Sequence, residues 1–495
     1  MIPLSDESIP LIPNKEENNK TTSFSFKKLW MFTGPGVLMS VGFLDPGNIS
    51  SDLETAALVQ YQLLWVLLSA TLVGLIMQRL SARLGVVTKL HLAELCFIHY
   101  RKWPRLLLWI MAEIAIISSD IQYKLGTAIA IYSLSNTLIP LWAGVLITTL
   151  DLLIFLYFDQ YGLRRLELFF AVLIVIMAAT FGYEFVVSQP NLLEVLKGVV
   201  LPLCRSNVMP HNLFLHSALV KSRNIDTSSA SEVKEANFYF FVESVLAVVI
   251  SFLINLFIVT VFGDELFGKT NHDVVRKYSN LNLEVYDNYD KFEPDLYTAG
   301  ILLGCVFGVT ALYIWSIGLL ASAQSATMTV TYAGQYVVEG FLNLEWKAWQ
   351  RALFCKILSI VPTFLFAFYL DTNYLTNIST ILNTVISIQL PFAMLPTIAF
   401  TSNAGLMGQF VNCRTNVVFT TIIGMVIIGV NTFFVIQTMI NLSWIVQTLA
   451  LVLGTFYLVF YFYLIIHMLI LSGVLKKSFL NYIFVNIEAS NSYSD

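Results

Sequence analysis

The chain has 495 residues, of which 57% are apolar and only 12% charged, with a mean hydropathy of +0.73. Soluble domains carry about 25% charged residues, so the composition excludes a soluble globular protein and predicts a polytopic membrane protein. The net charge of −4 offers nothing to a nucleic acid, and the five cysteines (Cys96, Cys204, Cys305, Cys355, Cys413) are scattered without metal-ligand spacing, as buried small hydrophobes would be.

Residues 1–26 are polar and read as a disordered cytoplasmic tail, with no cleavable signal peptide ahead of the first apolar run. A bilayer core takes about 20 apolar helical residues. Runs of that kind lie near 29–57, 62–80, 105–133, 136–158, 165–187, 236–262, 297–328, 350–369, 374–401, 415–438 and 443–472. With an irregular crossing around 192–222 they make about 12 transmembrane helices. Basic residues of short connections mark the cytoplasmic side. Lys27 and Lys28, then Arg79, Arg83, Lys89, Arg101 and Lys102, then Arg164 and Arg165, then the 220–237 connection all fall on one side. Both termini are therefore expected inside and the long, acid-rich 263–295 connection outside, in a plasma or endosomal/lysosomal membrane.

The first span holds an anomaly, GFLDPGNIS at 42–50. A carboxylate at membrane depth is expensive and usually functional. A proline there breaks the helix, which is tolerated only where the broken backbone lines a cavity. VMPHNLFLHSALV at 208–220 repeats the pattern: Met209-Pro210-His211-Asn212 matches Asp45-Pro46-Gly47-Asn48, 164 residues on (209 − 45) and five spans later. An odd number of spans inverts the second unit. Paired proline-interrupted segments in inverted halves point to a transporter's central site. Pro46, Gly47 and Pro210 are then the helix breaks, whose neighbouring carbonyls are expected to face inward unpaired. Asp45 offers a carboxylate, Asn48 an amide oxygen, Met209 a thioether and His211 an imidazole; His216 could serve or simply pack. Oxygen ligands alone suit hard cations, whereas a thioether biases the site towards transition metals such as Mn²⁺, Fe²⁺ or Co²⁺. Most membrane methionines only pack; the position before a helix-breaking proline sets Met209 apart.

DPGN, MPHN followed by LHS, KLHLAEL (89–95), YGLRRLE (161–167), ALYIWSIGLLASAQSATMT (311–329), EGFLNLEWK (339–347) and IQLPFAMLP (388–396) together resemble the natural resistance-associated macrophage protein family, in its animal branch. The resemblance covers nearly all of 27–472 and implies a proton-coupled importer of divalent metal ions, not an enzyme, with no cofactor beyond its transported Mn²⁺ or Fe²⁺ and H⁺. It implies an all-α, inverted-repeat (5+5) transporter fold with two additional C-terminal helices. The first repeat would cover 27–187, the second 188–402 with a shortened helix 6, helices 11 and 12 residues 403–472, and a cytoplasmic tail 473–495. It further implies metal ligation by Asp45, Asn48, Met209 and the carbonyl of Gly42. A helix-10 amide would join in the inward-facing state, Asn383 in first place and Gln389 in second. His211 and Asp120 would carry protons alongside Asp45.

Three departures bear on that expectation. Where the family has a carboxylate three residues after its relay aspartate, this chain has Tyr123, and a phenol, titrating near pH 10 in water, does not shuttle protons as a carboxylate does. Lys124 lies one helical turn from Asp120 and can pair with it, while Lys356 stands where the family has an arginine. About fifteen to twenty residues before MPHN are missing relative to the family pattern, which leaves open a substitute built from 192–207, interrupted at Pro202, or a transport-impaired splice or variant form. The carbonyl three before Met209 belongs to Ser206. A metal uniporter with weak proton coupling is the other alternative. A sodium–amino-acid symporter would not set Asp45 opposite Met209, and an embedded metalloenzyme would need a closed His or Cys set. Glu7-Ser8-Ile9-Pro10-Leu11-Ile12 fits an acidic dileucine sorting signal, and the sequons at Asn19 and Asn48 would be cytoplasmic and intramembrane, so unglycosylated.

Overall fold

The computed structural model describes residues 24–150, 163–200, 211–221, 223, 225, 227, 229–273, 292, 294–343, 346–369, 375–440 and 444–473. Among the described residues the chain is helical almost throughout and contains no strand. The first crossing comes in pieces: α1 (Phe26–Phe32), α2 (Pro35–Ser40), a 3₁₀ turn (Val41–Phe43) and α3 (Pro46–Val59). Then come α4 (Leu64–Thr88), α5 (Leu92–His99), α6 (Lys102–Leu134), α7 (Leu141–Thr148), α8 (Leu163–Ser188), α9 (Leu192–Val200) and α10 (His211–Lys221). The rest is α11 (Ala230–Leu266), α12 (Leu296–Phe307), α13 (Val309–Leu342), α14 (Ala348–Tyr369), α15 (Leu375–Thr401), the single turn α16 (Ala404–Met407), α17 (Arg414–Ile440) and α18 (Trp444–Leu471). Among the described residues eight helices (α4, α6, α8, α11, α13, α14, α15 and α18) are long and apolar enough to cross a membrane. Phe456 and Phe462 of α18 are largely exposed, as side chains facing lipid would be.

Two expected spans are redrawn. The 297–328 run is not one helix: Gly308 sits at φ +91°, a left-handed conformation that only glycine adopts readily, and divides α12 from α13. The crossing is Val309–Leu342; the 12 residues of α12 give a rise of about 18 Å, short of the hydrocarbon core. The irregular 192–222 segment is α9 and α10, with 201–210 between them outside the described residues. Residues 151–162, from the expected 136–158 span, also lie outside them.

Helices α6 and α13 form the centre. Around them α8 packs on α13 and α11, α14 and α15 pack on α6, and α11 packs on α4 and α3. Trp315 of α13 is a buried anchor: its ring meets Phe181 and Phe262 edge-on at 5.5 and 5.1 Å, and its Nε1 donates to the Leu296 carbonyl at 3.0 Å. At the expected cytoplasmic end, Glu243 of α11 accepts from the backbone N–H groups of Gly34, Gly36 (3.0 Å) and Val37 (3.3 Å), which caps α2. Arg223 pairs with Glu167 of α8 at 2.7 Å and donates to the Thr33 carbonyl, and Lys221 of α10 grips Glu94 at 2.7 Å.

Gly126 lets α6 approach the first-span break. A Cβ there would lie 2.6 Å from both Cβ and Cγ of Pro46, inside van der Waals contact. Gly126→Val should therefore lower the thermal unfolding midpoint of the purified protein by several degrees, as overpacking typically costs about 1–3 kcal/mol; an unchanged midpoint would show that α3 can yield.

Candidate functional site

The DPGN motif folds as a helix start placed at membrane depth. Asp45 is extended (φ −75°, ψ 161°) and is the N-cap of α3: its Oδ1 accepts from the Asn48 N–H at 2.8 Å. Pro46 occupies the first helical position, where a proline's missing N–H costs nothing. A short polar cap and a proline thus specify a helix start here, at the cost of ending the 3₁₀ turn before it.

The unwound carbonyls are not unpaired, contrary to expectation. Ser251 Oγ donates to the Ser40 carbonyl at 3.1 Å, Asn255 Nδ2 to Phe43 at 2.7 Å and Ser322 Oγ to Leu44. The Gly42 carbonyl accepts from Asn48 Nδ2 at 3.1 Å, and the same nitrogen lies 3.3 Å from Asp45 Oδ2. In hydrocarbon no water can satisfy these groups, so α11 and α13 supply the donors. With both amide hydrogens of Asn48 directed at Gly42 and Asp45, its oxygen is the group left for a cation. Asp45 is fully buried, and Tyr123 Oη donates to its Oδ2 at 3.4 Å.

Of the helix-10 amides, Asn383 reaches the break. Its Nδ2 lies 3.4 Å from the Gly47 carbonyl and 3.1 Å from Ser51 Oγ, and its Oδ1 accepts from Gln122 Nε2 at 3.1 Å. Gln389 is buried, with an amide oxygen that meets no hydrogen-bond donor. Met209 and Pro210 lie outside the described residues, as do Pro202 and Ser206; His211 opens α10, and its side chain is not described. His216 is fully buried, with neither ring nitrogen hydrogen-bonded.

Asp120 stands in a separate buried cluster. Lys124 Nζ meets its Oδ2 at 2.6 Å, Lys356 Nζ its Oδ1 at 3.1 Å, and Ser359 Oγ also donates to it. All three charged side chains are at most 5% exposed. One carboxylate between two ammonium groups leaves the cluster formally cationic. Two turns along α6, buried Glu113 accepts from Trp109 Nε1 at 3.1 Å and lies 4.0 Å from Cys355 Sγ.

Sequence reasoning missed Asn255, Ser251, Ser322, Gln122, Ser379 and Glu113. Glu113 alone carried a usable signal, a lone carboxylate seven residues before Asp120 in an apolar helix. The others are ordinary polar residues whose partners lie in distant spans.

Asn255→Leu should strand the Phe43 carbonyl. An unsatisfied buried acceptor costs about 1–3 kcal/mol, so a lower unfolding midpoint and weaker Mn²⁺ binding are expected together in a thermal-shift titration. Loss of neither would remove Asn255 from the support of the break.

The chain also resembles known proteins. Residues 36–437 match the natural resistance-associated macrophage protein-like family. Protein Malvolio of Drosophila melanogaster is 52% identical over 490 residues, covering 94% of this chain and 82% of that protein. Natural resistance-associated macrophage protein 2 of Homo sapiens is 48% identical over 461 residues, covering 89% and 81%. The crystal structure of a manganese transporter from Eremococcus coleocola superposes with a TM-score of 0.77 at 26% identity, over 93% of this chain and 98% of that one.

Proposed function

This chain belongs to the natural resistance-associated macrophage protein family, in its animal branch, and is a membrane transporter for divalent metal ions rather than an enzyme; from that premise we propose that it carries Mn²⁺ and Fe²⁺ towards the cytoplasm with weak proton coupling. The observation that carries the metal site is the convergence of the Asp45 carboxylate, the Asn48 amide and the Gly42 carbonyl at one helix break, 3.1–3.3 Å from Asn48 Nδ2. A buried divalent cation needs a charge partner, and Asp45 is the anion available to it. The Met209 thioether would complete a mixed oxygen–sulfur set that prefers transition metals to Ca²⁺ or Mg²⁺. The setting is a plasma or endosomal/lysosomal membrane, with both termini cytoplasmic.

Weak coupling follows from the Asp120 cluster. Lys124 and Lys356 both pair with the Asp120 carboxylate, and a proton delivered to it would break both pairs. Tyr123, where the family has a carboxylate, ties the metal-site Asp45 to this helix without adding an exchangeable proton near neutral pH. His211 remains the other titratable group at the second break.

A second reading, a transport-impaired form, draws support from the sequence before Met209, which is about fifteen to twenty residues shorter than the family pattern. Grafting a full outer half of helix 6 ahead of Met209 and comparing uptake with the native chain separates the two. Equal uptake favours the first reading, and uptake only in the graft favours the second.

Asp45→Ala should abolish Mn²⁺ and Fe²⁺ uptake at unchanged membrane levels of protein; substantial uptake by the variant would end the site assignment. Native uptake should rise little between about pH 7.5 and about pH 5.5, and Tyr123→Glu should steepen that response by restoring a carboxylate that titrates in reach of Asp45. Strong internal acidification in step with metal entry by the native chain would contradict weak coupling.

A further inference from the structure

Gln122 lies on α6 between the two clusters just described and belongs to neither. It is 4% exposed. Its Nε2 donates to Ser379 Oγ at 2.9 Å, to the Ser379 carbonyl at 3.3 Å and to Asn383 Oδ1 at 3.1 Å. Its Oε1 is buried without a hydrogen-bond partner and occupies the place where a Cβ on Gly47 would stand, 2.2 Å from that position. A buried amide oxygen is rarely left unpaired, so the orientation of Gln122 is held by what its nitrogen does.

The orientation of Asn383 is fixed in turn. The Gly47 carbonyl can only accept, so the side-chain nitrogen of Asn383, not the oxygen, must face it. Asn383 therefore turns its hydrogens towards the first-span break and its oxygen towards Gln122. A cation repels those hydrogens. To ligate an ion, Asn383 must present its oxygen, and for that it must leave Gln122.

We propose that Gln122 is a positioning residue that competes with the metal ion for the Asn383 oxygen, keeping α15 docked on α3 and α6 with its amide turned away from the ion path until the ion draws it in. This rests on the reading of Asn383 as a helix-10 ligand. It makes Gln122 a residue whose loss strengthens metal binding, the reverse of what damage to packing would do. The bond between Gln122 and Asn383 sets a threshold that the ion must exceed, so weakly held ions leave α15 where it is.

The test is Mn²⁺ binding by the full-length purified chain, titrated with MnCl₂, for the native protein, Gln122→Met, Ser379→Ala, Asn383→Ala and the Gln122→Met/Asn383→Ala pair. Methionine keeps the length of glutamine and removes its donors. Gln122→Met should tighten Mn²⁺ binding by about three- to tenfold, the worth of one neutral hydrogen bond. Ser379→Ala, which loosens Gln122 without touching Asn383, should shift affinity the same way by less. Asn383→Ala should weaken binding, and the pair should match Asn383→Ala alone. If Asn383→Ala weakens binding while Gln122→Met leaves it unchanged or weaker, the competition is wrong and the ligand reading survives. If Asn383→Ala has no effect, the ligand reading fails and takes the competition with it. A gain from Gln122→Met that persists without Asn383 also overturns the proposal. Should Gln122→Met fail to fold, Ser379→Ala decides alone: no tightening refutes it.

Discussion

A backbone interrupted inside a bilayer must find partners for every polar group it exposes, because lipid offers none. The chain meets that constraint at residues 40–48 with side chains from two other helices and from the segment itself. Ser251 and Asn255 of α11, Ser322 of α13 and Asn48 of α3 take four of the five carbonyls from Ser40 to Leu44, the Val41 carbonyl accepting from the Leu44 N–H, while Asp45 caps the helix that restarts. The break is thereby a fixed piece of architecture. It also explains why α11 and α13 pack so closely on the first crossing: their polar side chains must reach backbone atoms, and a shift of an ångström would lose those bonds.

The same device appears at the other end of the segment. Glu243 caps α2 by accepting from Gly34, Gly36 and Val37, so the half-helix before the break is tethered to α11 as firmly as the half after it. A carboxylate at a helix N-terminus answers both the unpaired N–H groups and the positive end of the dipole. Asp45 and Glu243 use one piece of chemistry for two ends. They differ in what else surrounds them, since Asp45 is also approached by Tyr123 and by the side chain of Asn48.

Charge is segregated along α6. Asp120, Lys124 and Lys356 neutralise one another to within a unit charge, and Ser359 completes the set. Between Asp120 and Lys124, Tyr123 reaches across to Asp45, and Gln122 reaches to α15. Four of the five positions 120–124 of a single helix thus address three different partners, because successive residues on an α-helix are about 100° apart. A substitution in this stretch acts on the ion pair, the metal-site carboxylate or the helix-15 amide according to its position, and neighbouring substitutions are not interchangeable.

The sequence alone determined what the solvent dictates and what local chemistry dictates. Apolar composition required a membrane protein. Asp-Pro-Gly-Asn required an interrupted helix, since proline and a capping aspartate specify a start wherever they stand, and the four-residue spacing of Asp120 and Lys124 required a pair. The Met-Pro-His-Asn pattern raised the same expectation at Met209 and Pro210, which lie outside the described residues. Only the tertiary structure decided which groups those features meet. Asn255 and Phe43 are 212 residues apart, Ser322 and Leu44 278, and Gln122 and Asn383 261. A lone serine or amide in an apolar helix looks the same whether it caps its own backbone, as Thr71 does on Leu67, or reaches another span. Nothing periodic marks the difference, because the partner is chosen by how two helices cross. The expectation that the unwound carbonyls stay free failed for that reason, and so did the single 297–328 span. There apolar residues run on without pause, and one glycine able to take φ +91° turns the chain.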